Sequence, residues 1–230
     1  MFVGIATRKK HRLRWANPLL FATLWLAYLW GATRAPDLRH GAELDWGVLS
    51  GGLDSIAAWR AALVDGSVLR LFSGLFLHAD WIHLTGNLVF LLIFGPPAER
   101  VMGGIRFLLL FLLGGAVANL AAVLAISTPD NIIIGASGAV SAVIGAYLAL
   151  FPGARLGVVL PLGLFLQFVR VPASLLIGLW ALLQVVFAYS GPSFGAVAWA
   201  AHLGGFCFGI VFALVTPAAI ARRLRRNRGY

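Results

Sequence analysis

Long apolar runs dominate the chain, and short polar segments separate them. A helix of about 20 consecutive apolar residues crosses a bilayer. On that criterion we predict six membrane-spanning helices, at residues 17–33, 80–98, 104–126, 132–151, 171–190 and 196–216. The apolar stretch 154–170 is interpreted as a connection at the membrane interface, because four residues interrupt it: Arg155, Pro161, Gln167 and Arg170.

The predicted organisation is a single membrane domain, residues 17–216, between a basic N-terminal segment (1–16) and a basic C-terminal tail (217–230). Residues 34–73 form a long outer loop between the first two helices, and its tryptophans suit the membrane interface. We find no internal repeat and no separate soluble domain. The expected fold class is therefore all-α, a polytopic bundle of six transmembrane helices.

Composition excludes a water-soluble globular protein. The 230 residues are 60% hydrophobic and only 11% charged, whereas a soluble domain has about 25% charged residues. A chain with so few charges cannot cover its own surface with polar groups. The lipid bilayer is therefore an expected partner.

The net charge of +10 indicates how the chain is oriented in the membrane and does not indicate nucleic-acid binding. Ten of the eighteen Lys and Arg residues lie in Arg8–Arg14 and Arg222–Arg228, whereas a nucleic-acid binder spreads its basic residues over one face. Lys and Arg stay on the cytoplasmic side, so both termini are expected inside, in a cell inner (plasma) membrane. A loose signal-peptidase site at Ala32-Thr33-Arg34-Ala35 leaves a second reading with five spans.

Four polar residues lie inside predicted spans, where such groups are costly and mark function. They are His83 and Asn87 in the second span, Ser137 in the fourth and His202 in the sixth. These three spans run from outside to inside, and each polar residue comes early. At 1.5 Å per residue, the four side chains lie roughly 5–10 Å below the outer surface.

Stripes of small residues predict that the fourth and sixth spans pack closely. Small residues every four positions let membrane helices approach each other. The fourth span has the stripe Ser137, Ser141, Gly145 and Ala149, and the sixth has His202, Gly205, Gly209 and Ala213. Facing stripes would bring Ser137 and His202 together at the outer end of the seam.

A serine beside a histidine indicates nucleophilic catalysis. A hydroxyl needs a neighbouring base to accept its proton, and His202 is the candidate base. The nearest carboxylates, Asp80 and Asp130, lie at the membrane edge and not inside a span, so the pair would be a dyad without a third member.

Acyl transfer also needs donors aimed at the developing oxyanion. Candidate donors are the Asn87 amide, the His83 ring N–H and the backbone N–H of Ser137. Gly135 and Gly138 flank the serine, so we expect no side chain to obstruct its approach.

Each of these residues also has a structural interpretation. The segment Gly-Ala-Ser-Gly is common in helix packing, and His202, His83 and Asn87 are compatible with interhelical hydrogen bonds. His78 and His83 point about 140° apart on a helix, and no third ligand is evident, so no metal site and no cofactor are expected. His78 is expected to order the loop before its helix. The single cysteine, Cys207, excludes a disulfide framework and is interpreted as a small packing residue.

Three segments together resemble the rhomboid intramembrane serine proteases. Residues 69–87 contain the pattern H-x4-H-x3-N, Gly135-Ala136-Ser137-Gly138 matches G-x-S-G, and Ala201-His202 with Gly205 and Gly209 matches A-H-x2-G-x3-G. The resemblance covers residues 69–216. It implies that Ser137 attacks the scissile carbonyl, that His202 is general base and acid, and that His83 and Asn87 serve the oxyanion site.

Two positions depart from the family pattern. Ser141 replaces the aromatic residue that packs on the catalytic histidine, so Phe206 or Trp199 is expected to hold His202 instead. Leu69 stands where the family usually has a tryptophan. Neither change removes a reacting group.

The function expected from this resemblance is cleavage of transmembrane segments of single-span proteins near the outer membrane face. The alternative is a catalytically inactive rhomboid-like protein that binds and escorts client helices. A transporter is disfavoured, because the inner halves of the spans are almost purely apolar. The partners are then transmembrane substrates and the bilayer, with no nucleic acid and no oligomeric state indicated.

Overall fold

Helices make up most of the computed structural model, which describes residues 14–50, 53, 55–126, 131–162, 165–190 and 199–216. Within these residues the helices are α1 (Ala16–Ala32), α2 (Pro36–Trp46), α3 (Ile56–Val64), α4 (Arg70–Ser73), α5 (Trp81–Met102), α6 (Gly104–Ala125), α7 (Ser137–Leu150), α8 (Ala173–Ser190) and α9 (Trp199–Leu214). The strands are β1 (Val48–Leu49), β2 (Ile132–Ile133), β3 (Arg155–Leu162) and β4 (Phe165–Pro172).

Both basic ends of the chain lie largely outside the described residues. The predicted N-terminal segment 1–16 is described only from residue 14, and the whole tail 217–230 lies outside. The first residues of the predicted sixth span, 196–198, lie outside as well.

Two helices in the described part are long and apolar enough to cross a membrane, α5 and α6, each of 22 residues. They coincide with the predicted spans 80–98 and 104–126, although α5 continues to Met102 with Pro96 and Pro97 inside it. Shorter apolar helical segments in the described part include Ser137–Leu150, residues Ala173–Val186 of α8, and Trp199–Leu214.

Helix α7 lies at the centre of the bundle. Every residue from Gly138 to Tyr147 is buried, and the helix packs against α9, α6 and α5, with α9 its most extensive partner. In contrast, α5, α6 and α8 expose many leucine and valine side chains. An apolar exterior around a small-residue core suits a lipid environment.

The α7–α9 contact brings the two backbones together at glycines, as the small-residue stripes predict. A Cβ atom at Gly205 would overlap the carbonyl oxygen of Gly138, and one at Gly209 would overlap that of Ala142. From the other side, a Cβ atom at Gly145 would overlap the carbonyl oxygen of Phe206. Such contacts fix the spacing and register of the two helices.

The outer loop between α1 and α5 contains ordered elements and supports the segment that leads into α7. Strand β1 pairs antiparallel with β2, with Val48 opposite Ile133. The N–H of Gly135 then donates to the carbonyl of Gly74 at 2.9 Å. The segment that leads into α7 is therefore fixed by hydrogen bonds to the region between α1 and α5.

The described structure is mostly helical, as the expected fold class requires, but the connection after α7 is a β-hairpin. Strands β3 and β4 pair antiparallel from Arg155 opposite Pro172 to Leu162 opposite Phe165. Residues 154–170 are predicted to be a connection and not a spanning helix, and those that the structure describes form no helix. Their β-branched residues favour extended strands. Examples are Val158, Val169 and Val171.

Glu99 has a structural role that its sequence position did not indicate. It lies just beyond the predicted span 80–98, but α5 continues to Met102 and the Glu99 side chain is only 2% exposed. Its carboxylate accepts hydrogen bonds from the N–H groups of Ala16 (2.9 Å) and Asn17 (3.0 Å). Because the first N–H groups of a helix have no partner within it, Glu99 caps α1.

Candidate active site

Ser137 is the first residue of α7, directly after a glycine turn. Gly135 has φ +116°, a conformation that glycine adopts far more readily than other residues. Ala136 precedes the helix as its N-cap residue. The backbone N–H of Ser137 is therefore at a helix N-terminus, where N–H groups have no intrahelical partner and favour negative charge.

The structure brings Ser137 and His202 together, although they are 65 positions apart. The Nε2 atom of His202, on α9, lies 2.9 Å from the Oγ atom of Ser137. Both residues are half-buried. This distance is within the range needed for transfer of the hydroxyl proton to the imidazole.

The other nitrogen of the same ring has a partner that the sequence analysis missed. The Nδ1 atom of His202 lies 2.7 Å from the Oε1 atom of Gln184, a residue of α8 that is 6% exposed. An amide oxygen only accepts hydrogen bonds, so Nδ1 carries the ring proton. Nε2 is then unprotonated and can accept from Ser137.

The sequence contains a signal for Gln184. A glutamine inside an apolar span is as unusual as the other polar residues within the predicted spans, and such residues mark function. Gln184 lies six residues before the end of α8 at Ser190, or roughly 9 Å along the helix. That is the same depth as predicted for the other polar residues of the site.

Tryptophan rings flank His202. Trp199 meets the imidazole edge to face, at 5.8 Å between centroids and 83° between planes, and Trp180 lies at 6.5 Å and 35°. Phe206 packs on Trp180 at 5.8 Å. Of the two side chains expected to hold the histidine, Trp199 thus contacts the ring, and Phe206 supports it through Trp180.

Ser141, in place of the aromatic residue, bonds to its own helix. Its Oγ donates to the carbonyl of Ser137 at 2.7 Å, and the side chain is 2% exposed. It therefore leaves the holding of His202 to other residues.

The ring of His83 lies against Gly135. A Cβ atom at position 135 would be 2.6 Å from Cε1 and 2.7 Å from Nε2 of His83. The side chain of Asp80 begins the helix by accepting from the N–H of His83 at 2.8 Å. His83 therefore stands beside the turn that presents Ser137.

His78 connects α5 to Ala136, the residue before Ser137. Its Nε2 atom lies 3.1 Å from the amide nitrogen of Asn87 and 3.3 Å from the backbone nitrogen of Ala136. Two N–H donors on one nitrogen require that Nε2 is unprotonated and the ring neutral. Burial agrees, because it lowers the pKa of His78 from its usual 6.5 to about 4.

Asn87 is consequently engaged with His78, and the ring of His78 also meets that of His83 at 5.1 Å. An amide nitrogen carries two hydrogens, so one N–H of Asn87 remains after this bond. The expectation that His78 orders the loop agrees with its position between α5 and α7.

The packing gives Gly138 a further role and corrects the expectation for Cys207. A Cβ atom at Gly138 would overlap the Cβ atom of Ala118 on α6, so this glycine allows the two helices to pack closely. Cys207 is exposed and is not a packing residue. It lies two positions after Gly205, about 200° around the helix from the face that meets α7.

Within the part of the chain that the structure describes, no group of three or more His, Cys, Asp or Glu side chains could hold a metal ion. The side chains described at the site are one serine, three histidines and two amides, and they lie at a helix N-terminus.

Comparison with known proteins agrees with the resemblance seen in the motifs. A sequence model of the Rhomboid domain matches residues 65–218. The chain is 32% identical to the Bacillus subtilis protein named "Putative rhomboid protease YdcA" over 96 residues. These aligned residues are 41% of this chain and 47% of that protein. It is 46% identical over 66 residues to "Rhomboid-like protein 11, chloroplastic" of Arabidopsis thaliana, covering 28% of this chain and 23% of that protein.

A longer match is to "Rhomboid protein 1, mitochondrial" of Saccharomyces cerevisiae. It is 28% identical over 173 residues, which are 70% of this chain and 45% of that protein. The chain spans less than half the length of each of these relatives.

Proposed function

The chain belongs to the rhomboid family of membrane proteins, and we propose that it is an intramembrane serine endopeptidase that uses Ser137 and His202 as a dyad. Members of this family are generally intramembrane serine proteases. The observation that carries the proposal is the 2.9 Å distance between Oγ of Ser137 and Nε2 of His202, combined with the 2.7 Å contact between Nδ1 of the same ring and Oε1 of Gln184.

The reaction follows from this geometry. Oγ of Ser137 attacks the scissile carbonyl carbon while Nε2 of His202 takes the hydroxyl proton, and the carbonyl oxygen becomes an oxyanion. The tetrahedral intermediate collapses, the C–N bond breaks, and His202 gives its proton to the leaving amine. Water then attacks the acyl-serine ester while Nε2 of His202 takes a proton from that water. The bond between the acyl carbon and Oγ breaks, His202 returns the proton to Oγ of Ser137, and the carboxyl product is released.

The oxyanion would lie at the N-terminus of α7. The backbone N–H of Ser137 is a donor there, and the His83 ring beside Gly135 and the remaining N–H of Asn87 are the candidates to join it. Donors of this kind, arranged before the reaction, stabilise the developing charge; loss of one costs about 3–4 kcal/mol of barrier.

In the proposed topology, α1, α5, α6, α7, α8 and α9 cross the membrane with both termini in the cytoplasm. The apolar exteriors of these helices and the basic ends of the chain support it. The domain would then comprise residues 17–216, between cytoplasmic segments 1–16 and 217–230. The dyad would open to the outer (periplasmic or extracellular) side of the inner membrane, from which water reaches it.

A cavity between α5 and α8 supports lateral entry of a transmembrane substrate. Its volume is about 430 Å³, and its lining includes Phe94, Ile144, Ile177 and Trp180. Trp180 also contacts His202, so the cavity and the dyad share a side chain. The proposed substrates are transmembrane segments that unwind readily, because an intact helix hides its carbonyls in hydrogen bonds.

The test is covalent labelling of the purified protein in detergent with a fluorophosphonate, together with cleavage of a single-span reporter in liposomes. We expect labelling and cleavage by the wild type, and loss of both in Ser137→Ala and in His202→Ala. Cys207→Ala is the control, because it removes an exposed nucleophile away from the site. Cleavage by Ser137→Ala, or no labelling of a folded wild type, would contradict the proposal; the second result favours a protein that binds helices without cutting them.

A further inference from the structure

We propose that Gln184 is a positioning residue of the dyad, which holds the proton of His202 on Nδ1 and so leaves Nε2 free to accept from Ser137. The inference deepens the proposed protease function and rests on it. It gives the Ser–His pair a third member, contributed by α8, where the sequence indicated none.

The first argument is the geometry of the bond. Oε1 of Gln184 lies 2.7 Å from Nδ1 of His202, while Nε2 lies 2.9 Å from Oγ of Ser137. The three side chains therefore form one chain of hydrogen bonds with a single direction. The hydroxyl donates to Nε2, and Nδ1–H donates to the amide oxygen.

The second argument is the contrast between Gln184 and its helix. Neighbouring side chains on α8 are apolar and exposed, with Leu182 58% and Leu183 42% accessible, whereas Gln184 is only 6% accessible. A buried amide is costly unless it is hydrogen-bonded. The hydrogen bond to His202 on α9 offsets the cost of burying the Gln184 amide.

The third argument is that ring packing alone cannot select a tautomer. Trp199 and Trp180 restrict where the imidazole lies, but the faces and edges of aromatic rings do not require the proton to be on one nitrogen. With the proton on Nε2, the ring would donate to Ser137 and could not accept its proton. An acceptor at Nδ1 excludes that state.

An amide is a suitable third group in this setting. A carboxylate on a membrane helix carries a charge that is expensive to bury, whereas a neutral amide oxygen accepts the same hydrogen bond. Cysteine proteases of the papain type use an amide in the corresponding position, in a Cys-His-Asn arrangement. Ser141, at the position of the aromatic residue, makes no bond to the ring and bonds to Ser137 instead.

The kinetic test compares Gln184→Leu and Gln184→Glu with the wild type in reporter cleavage. Gln184→Leu removes the acceptor, and we expect kcat to fall about 10- to 100-fold with KM within about twofold, because the dyad and not substrate binding is affected. Gln184→Glu keeps an oxygen acceptor and should recover part of kcat. Leu182→Ala, on the exposed side of α8, is the matched control and should retain wild-type kcat.

A wild-type kcat in Gln184→Leu would overturn the inference. So would a loss of kcat that Gln184→Glu does not relieve although both variants unfold at the wild-type temperature. If Gln184→Leu does not fold, Gln184→Met, with a side chain of similar length and only a weak acceptor, replaces it in the same comparison.

The tautomer itself can be measured without catalysis. Nitrogen-15 NMR of the full chain labelled at histidine distinguishes a protonated from an unprotonated ring nitrogen, and the His202 signals are those absent from His202→Gln. We expect Nδ1 protonated in the wild type and a mixed or reversed tautomer in Gln184→Leu. An unchanged tautomer in Gln184→Leu would overturn the role of Gln184, whereas absence of cleavage by a wild type with the expected tautomer would overturn only the protease function.

Discussion

Gly205 on α9 lies so close to the carbonyl oxygen of Gly138 on α7 that a Cβ atom at position 205 would overlap it. The contact is one residue from Ser137 and three residues from His202, so it sets the separation of these two side chains. The distance between Oγ and Nε2 is therefore a property of backbone packing and not of the dyad alone.

The variant Gly205→Ala is expected to push α9 away from α7. The added methyl group meets backbone, which cannot move aside as a flexible side chain can, so we expect a loss of about 1–3 kcal/mol of stability. Fluorophosphonate labelling of Ser137 should slow as well. Gly178→Ala is the matched control, because nothing lies within 4 Å of the added atom; equal labelling rates in the two variants would contradict this account.

Gly135→Ala tests the turn before the nucleophile. Its φ of +116° is strained for alanine, and the new methyl group would lie 2.6 Å from Cε1 of His83. We expect destabilisation of about 1–3 kcal/mol and slower labelling of Ser137. Gly153→Ala, in an open loop with nothing within 4 Å, should behave as the wild type in both thermal unfolding and labelling.

Buried His78 makes stability depend on pH. Its pKa in the folded protein is about 4, below the usual 6.5, so between these values the unfolded chain binds more protons than the folded one. The contribution of this group to the free energy of unfolding is constant above about pH 6.5 and falls as pH is lowered towards 4. The full loss is on the order of 3 kcal/mol.

The measurement is thermal unfolding in detergent at pH 7.5 and 5. His78→Gln keeps an oxygen that can accept from Asn87 or Ala136 and does not titrate, so the difference in Tm between the two pH values should shrink. A pH dependence in His78→Gln as large as in the wild type would show that other groups cause it.

Glu99→Gln tests the cap of α1. One oxygen of the carboxylate becomes an NH₂ group facing a backbone N–H, so a hydrogen bond from Ala16 or Asn17 is lost, and we expect about 1–3 kcal/mol less stability. Glu43→Gln is the control, because Glu43 forms an ion pair with Arg39 on the surface. A fall in kcat for Glu99→Gln at temperatures where the protein is folded would contradict a purely structural role.

The limits of prediction from sequence are visible in single residues. The apolar runs located the helices because hydropathy is a local property, and α5 and α6 lie where two spans were predicted. The predicted span 80–98 stops before Glu99, because the end of α5 depends on α1, which buries this carboxylate. The apolar composition of residues 154–170 fits a helix as well as a strand, so hydropathy does not distinguish them. The hairpin forms through contacts between β3 and β4.

The sequence by itself determined the family, the small-residue faces and the residues Ser137 and His202, because motif spacing and helical periodicity are carried by neighbouring positions. Only the tertiary structure decided the hydrogen-bond partner of each polar group. Gln184 for His202 and His78 for Asn87 depend on how whole helices are rotated against one another. A rotation of one residue, about 100°, would direct either side chain elsewhere, and no local pattern records that angle.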